Sequence, residues 1–225
     1  MTGFPLSAAD RDLVGAAVTA AETNTDGEIV TVMTQRSDEY RDSGFVWAAL
    51  AMLLPVALAA LYPRALDTIV TLFGDGWIAP NDADRLLALM VVEAAVFGLA
   101  LLVFRAPTVR LALTPKGVRT ARVRARAIQY FKVGAERRTV ARVGVLLYLS
   151  LDEHLAEIVA DEAIHTKVPP ERWGDAMAAL VDRVRAGQPG EGMAAAVAAI
   201  GAIVGEHFPK TDADVNELPD RLIEL

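Results

Sequence analysis

The chain has 225 residues, 53% of them apolar and 23% charged, with a mean hydropathy of +0.33. That balance excludes a disordered chain and leaves more apolar residues than a fully water-soluble globule of this size buries. A net charge of −7 argues against nucleic-acid binding, and the lack of cysteine removes disulfides, zinc–thiolate sites and thiol nucleophiles.

In chain order, Ser7-Ala8-Ala9-Asp10 is a helix-start signal, a hydroxyl cap with an acid three residues on. Leu13, Ala17, Ala20 and Ala21 then recur at helical spacing, and Asn24-Thr25-Asp26-Gly27 supplies turn chemistry. Residues 28–34 (EIVTVMT) predict a strand with apolar groups on both faces. One helix and one strand do not make a core, so their partners must come from elsewhere in the chain.

Two segments hold the apolar excess. Residues 45–63 carry no charge, and residues 86–104 are interrupted only by Glu93. As helices each spans about 28 Å, close to the hydrocarbon thickness of a bilayer. Trp47 and Tyr62 lie near the two ends of the first segment, where aromatic rings favour the lipid–water boundary, and Pro55 removes a backbone donor and kinks it. Both segments start too late and run too long for a cleaved secretory signal. After the second, Arg105, Arg110, Lys116, Arg119, Arg122, Arg124 and Arg126 follow with no acid between them, whereas the connector 64–85 carries Asp67, Asp75, Asp82 and Asp84. Positive charge stays in the cytoplasm, so the connector faces outward and both termini are cytoplasmic.

Beyond the hairpin, Thr114-Pro115 opens a helix over 116–132, with Val118, Ala121, Ala125, Ile128 and Phe131 as its stripe. Residues 144–151 and 155–162 predict a strand hairpin turning at Asp152-Glu153-His154. A helix begins at Pro170 and ends at Gly187. The last, over 190–207, is too short in its apolar part to span a bilayer, and its Gly201/Gly205 pair suits close packing on a sheet. These elements predict a three-layer α/β/α sandwich with a small mixed sheet, interrupted by an inserted two-helix transmembrane hairpin. The expected parts are 1–44 and 105–208 as two portions of one domain, 45–104 as the hairpin, and 209–225 as a docked tail anchored by Leu218, Leu222 and Ile223.

The stretches AETNTDGEIVTV (21–32), GVLLYLSLDEHLAEIVADEAI (144–164), Trp173, EHFP (206–209) and NELPD (216–220) resemble membrane-inserted bacterial members of the TPM-domain family. The resemblance covers nearly the whole chain and implies the same layered fold, in a bacterial inner membrane. It implies kinship with a thylakoid-lumen acid phosphatase, a photosystem repair factor and a receptor auxiliary subunit, and calcium binding is associated with some relatives. His154 stands where relatives often have arginine.

No nucleophile elbow, P-loop, zinc-protease helix or dinucleotide fingerprint is present. If strand 28–34 runs parallel to 144–151, then Asp26, Glu28, Asp161 and Glu162 gather at one edge of the sheet. Clustered carboxylates suit Mg²⁺ or Ca²⁺ and, through it, a phosphate; the alternative is ordinary pairing with Arg137 and Arg138. The stretch 211–216 begins like a calcium loop but has Glu217 at the loop-glycine position and Ile223 at the twelfth. Glu93 is neutralised by protonation or paired across helices or subunits, because ionised side chains at mid-helix cost about 3 kcal/mol on insertion scales. Arg119, Arg122, Arg124 and Arg126 form a basic cluster suited to anionic lipid or to setting topology. The expected function is an interaction or assembly module held at the bilayer, its partners anionic lipids and a membrane protein or a second copy. The alternative is a divalent-metal-dependent phosphatase; a channel or transporter would rest on Glu93 alone.

Overall fold

In the computed structural model, which describes residues 6–73, 79–134, 143–211 and 220–225, the chain divides into two compact units, 1–38 with 117–225 and 39–116. The elements begin with α1 (Ala8–Glu22) and β1 (Glu28–Thr34). Then come α2 (Arg41–Leu61), α3 (Pro63–Phe73), α4 (Asp82–Val103), α5 (Pro107–Leu113) and α6 (Lys116–Gly134). The chain continues as β2 (Gly144–Ser150), β3 (Leu155–Ala160), α7 (Glu162–His165), α8 (Trp173–Arg185), α9 (Pro189–His207) and β4 (Ile223–Glu224).

In the first unit the sheet order is β3-β2-β1-β4. β1 pairs in parallel with β2 and β4, and β2 pairs antiparallel with β3. Every residue of β1 and β2 is buried, which is why both strands carry apolar side chains on both faces. On one face Val30, Val32, Leu146 and Tyr148 meet Val123, Ala127 and Phe131 of α6. On the other, Ile29, Met33, Val145, Leu147 and Leu149 share a larger core with Val14, Val18, Leu180, Met193, Val197 and Ile200 of α1, α8 and α9. The expected α/β/α layering is therefore present, around a mixed sheet.

Local chemistry explains the ends of the elements. Ser7 caps α1 reciprocally: its hydroxyl accepts the Asp10 amide, while the Asp10 carboxylate accepts the Ser7 amide at 2.8 Å. β3 stops at Ala160, two residues before the expected end. The Asp161 amide still donates to the Gly144 carbonyl at 3.0 Å, but its carboxylate takes the Gly144 amide at 2.7 Å and the chain turns into α7. β4 was not expected; the Leu225 amide extends its pairing by donating to the Met33 carbonyl at 3.0 Å. Leu222 and Ile223 pack on the two cores, and Leu218 lies outside the described residues.

In the second unit α2 and α4 pack together, with α3 and α5 as further helices the sequence pattern did not suggest. α2 runs through Pro55, which is buried, and ends at Leu61 because Tyr62 precedes a proline, a position biased away from helical dihedrals. Pro63 then opens α3, where a missing amide donor is harmless. Asn81 and Asp84 cap α4 reciprocally. Leu53, Leu54, Leu61, Leu86, Leu87, Met90, Leu99 and Leu102 are each more than half exposed, and α2 and α4 are long and apolar enough to cross a membrane.

Gly201 packs α9 closely against α1, not against the sheet: a Cβ there would lie 2.5 Å from that of Ala21. Gly201→Val is expected to destabilise the first unit by about 1–3 kcal/mol through overpacking. Ala21→Gly in the same chain should recover part of that loss in denaturant unfolding of the detergent-solubilised protein.

Candidate functional site

Parallel strands in open α/β sheets present their carboxyl ends to ligands. At the carboxyl ends of β1 and β2 this protein has a buried chain of polar groups. The Ser37 hydroxyl lies 2.9 Å from the Tyr148 phenol and donates to Ser150 Oγ at 3.0 Å. Ser150 donates to Glu153 Oε2, and Glu153 Oε1 accepts the Ser37 amide at 2.9 Å. Ser37, Ser150 and Glu153 are all buried, and burial pushes the Tyr148 phenol up to about 12. His154 closes the turn after β2 in the left-handed region, φ 52°, its amide donating to the Leu151 carbonyl.

Around this chain the loop 35–38 is tied down by charge. Asp152 pairs with Arg36 and accepts from Gln35; Arg122 pairs with Asp38 at 2.9 Å. Arg126 Nε donates to the Ser37 carbonyl at 3.1 Å, and its guanidinium lies over the Tyr130 ring, which stacks on Tyr148. A serine hydroxyl on a carboxylate has the polarity of an activated nucleophile, but Ser150 has no exposed surface. The arrangement holds a loop in place. Sequence reading missed it because Ser37, Tyr148 and Glu153 belong to no motif; the only local signal is an acidic pair, Asp152-Glu153, directly after a buried strand.

The opposite end of the sheet holds the expected carboxylates. Register places Glu28 opposite Gly144 on one side, and Asp161 bonds Gly144 on the other. Asp26 gives its oxygens to the Thr211 amide at 2.7 Å and hydroxyl at 2.8 Å, while Glu162 is exposed in α7. Among the described residues no three His, Asp or Glu side chains converge as a metal-holding group. Arg137, Arg138 and residues 212–219, with Glu217, lie outside the described residues. A further carboxylate there, Glu22, went unnoticed in the sequence. It is buried in the last turn of α1, where an acid opposes the helix dipole, and that opposition was the available signal. Glu22 Oε1 accepts the Ile29 amide at 2.7 Å; desolvation, with Glu28 and Asp220 adding repulsion, pushes the carboxyl up to about 8.

The basic cluster divides. Arg122 and Arg126 bond the 35–38 loop, Arg124 lies 3.7 Å from Glu157 with its side chain 68% exposed, and Arg119 has a buried Nε without a hydrogen-bond partner among the described residues. Burial raises the Glu157 carboxyl, and Arg124 opposes that rise. Glu93 lies half-buried along α4 with no hydrogen-bond or ion-pair partner among the described residues.

No family model matches the sequence, and no curated protein matches it. Among solved structures the chain is similar to the NMR structure of BA42 protein from the psychrophilic bacterium Bizionia argentinensis. The match has 16% identity and a TM-score of 0.57, covering 100% of this chain and 98% of that one. At that identity the likeness is one of fold.

Glu22 also makes a pH prediction. The folded state holds a proton that the unfolded chain releases near its ordinary value of 4.5, so the native state binds more protons between 4.5 and about 8. The resulting stability is full below 4.5 and is lost as pH rises through about 8. Glu22→Gln should flatten the fall in unfolding free energy across that window, read by denaturant titration at several pH values.

Proposed function

We propose that the protein is anchored in the cytoplasmic membrane by α2 and α4 and that its α/β/α domain, of TPM type, is a cytoplasmic interaction and assembly module. The observation that carries this reading is the exposed apolar surface of two long helices in one unit, joined to a domain in which buried Ser37, Tyr148, Ser150 and Glu153 bond one another. Water does not tolerate that much exposed leucine and valine, whereas a bilayer requires it. The likeness to BA42 supports a shared fold over the whole chain and adds nothing about activity. Excess positive charge after α4 supports a cytoplasmic domain.

The natural chain has no cysteine, so single-cysteine labelling has no background. In intact cells Asn81→Cys is expected to react with a membrane-impermeant maleimide, and Thr166→Cys only after permeabilisation. Labelling of Thr166→Cys in intact cells, or release of the protein from membranes by alkaline carbonate, would overturn the reading. Crosslinking in native membranes should then recover a specific partner or a second copy.

A second reading, a divalent-metal phosphatase, draws on the register that sets Glu28 and Asp161 on either side of Gly144. It predicts phosphate release that stops on chelation and in Glu28→Gln/Asp161→Asn. Under the assembly reading, the purified protein releases no phosphate above that double variant with Mg²⁺ or Ca²⁺ present.

A further inference from the structure

Within the second unit, a pocket of about 150 Å³ opens between the start of α2, the end of α4 and α5. Its lining is Arg41, Gly44, Phe45, Leu101, Phe104 and Arg110. We propose that this pocket binds the phosphate of an anionic phospholipid, with Arg41 and Arg110 holding the phosphate and the three apolar side chains receiving the start of the acyl chains. The proposal rests on the membrane reading above.

Arg110 carries the argument. Its side chain is only 9% exposed, yet among the described residues its one ion pair is to Glu39 at 3.3 Å from Nη2, and the Glu39 carboxylate is largely in solvent. Arg110 Nε is buried and has no hydrogen-bond partner among the described residues. Nε has no accessible surface, so a ligand in the pocket would meet the guanidinium at its Nη atoms; a guanidinium held in low dielectric beside one solvent-exposed carboxylate is stabilised by a further acceptor there. The surroundings keep it there. Gly44 lets the Arg110 stem cross α2, since a Cβ would sit 3.3 Å from Arg110 Cδ and 3.2 Å from Phe104 Cβ. Trp47 Nε1 donates to the Leu113 carbonyl at 3.1 Å, fixing α5 on α2, and Thr114 Oγ1 donates to the Arg110 carbonyl at 2.8 Å, closing the end of α5.

The chemistry selects the ligand. Two guanidiniums at one pocket match the oxygens of a phosphodiester, which accept fork-like pairs of hydrogen bonds. Phe45, Leu101 and Phe104 stand at the ends of the apolar stretches, so cationic and apolar groups meet at the depth where a phospholipid carries its phosphate above its acyl chains. The volume equals about five liquid-packed waters, the scale of a phosphate group with its ester linkage. Free phosphate would leave the apolar lining unused.

The test uses the full-length protein in detergent, with thermal stability followed against phosphatidylglycerol, phosphatidylcholine and inorganic phosphate. Saturable stabilisation by phosphatidylglycerol is expected, with little from the other two. Arg41→Gln, at an exposed position, should weaken the phosphatidylglycerol response roughly fivefold, the equivalent of one cationic side chain at an anionic surface. Gly44→Leu, which displaces Arg110, should abolish it, and Arg64→Gln in α3 should leave it intact. Equal stabilisation by phosphatidylcholine, an unchanged response in Arg41→Gln, an equal loss in Arg64→Gln, or full stabilisation by inorganic phosphate would each overturn the proposal. Carbonate extraction separates the two failures. Release from the membrane sinks the membrane reading and the pocket together; retention without the lipid response sinks the pocket alone.

Discussion

The domain exists because β1 and β2 pair in parallel, residue for residue from Glu28 with Gly144 to Thr34 with Ser150. Parallel neighbours need a crossover, and here the crossover contains an entire second unit, 39–116, before returning through α6. Loop-closure entropy makes that insertion tolerable: each doubling of a flexible loop adds only about 0.6 kcal/mol. The burial of both strands on both faces, with α6 on one side and α1, α8 and α9 on the other, offsets it many times over. β4 then adds to the free edge of β1.

With the sheet closed in this way, its two ends acquire different characters. At the carboxyl ends of β1 and β2, hydroxyls and a carboxylate satisfy each other through Ser37, Tyr148, Ser150 and Glu153, and Arg122 and Arg126 secure the loop where the chain leaves for the second unit. Buried polar groups of this kind are favourable only when every member is matched, so the network specifies one loop position. At the amino ends, carboxylates act mainly on the backbone: Glu22 on Ile29, Asp161 on Gly144 and Asp26 on Thr211. Each replaces a ladder or turn partner, the ordinary task of an acid beside an unpaired amide.

Much of this was legible beforehand. Residues 28–34 and 144–151 read as buried strands because no polar alternation interrupts them, and residues 45–63 and 86–104 read as long apolar helices by length alone. The misses share a cause. β4 is two residues long, below any periodic signal, and exists because Met33 offers a carbonyl at an open edge. The end of β3 moved because the Asp161 side chain competes with the ladder, which composition does not reveal. The arginines of α6 read as one basic cluster in a linear count. Their partners, Asp38, Ser37 and Glu157, lie in segments far away in the chain.

Periodicity and composition by themselves determined the longer elements of this protein: buried strands, amphipathic helices, and two apolar helices suited to a bilayer. They could do so because burial is recorded locally, in the spacing of apolar side chains. Only the tertiary structure decided which polar groups meet. It turned Arg122 and Arg126 toward one loop, enclosed Arg110 with a donor unmet, and sealed Ser150 from solvent. A hydrogen bond or an ion pair is a relation between two distant positions, and its consequence depends on desolvation that neither position carries alone.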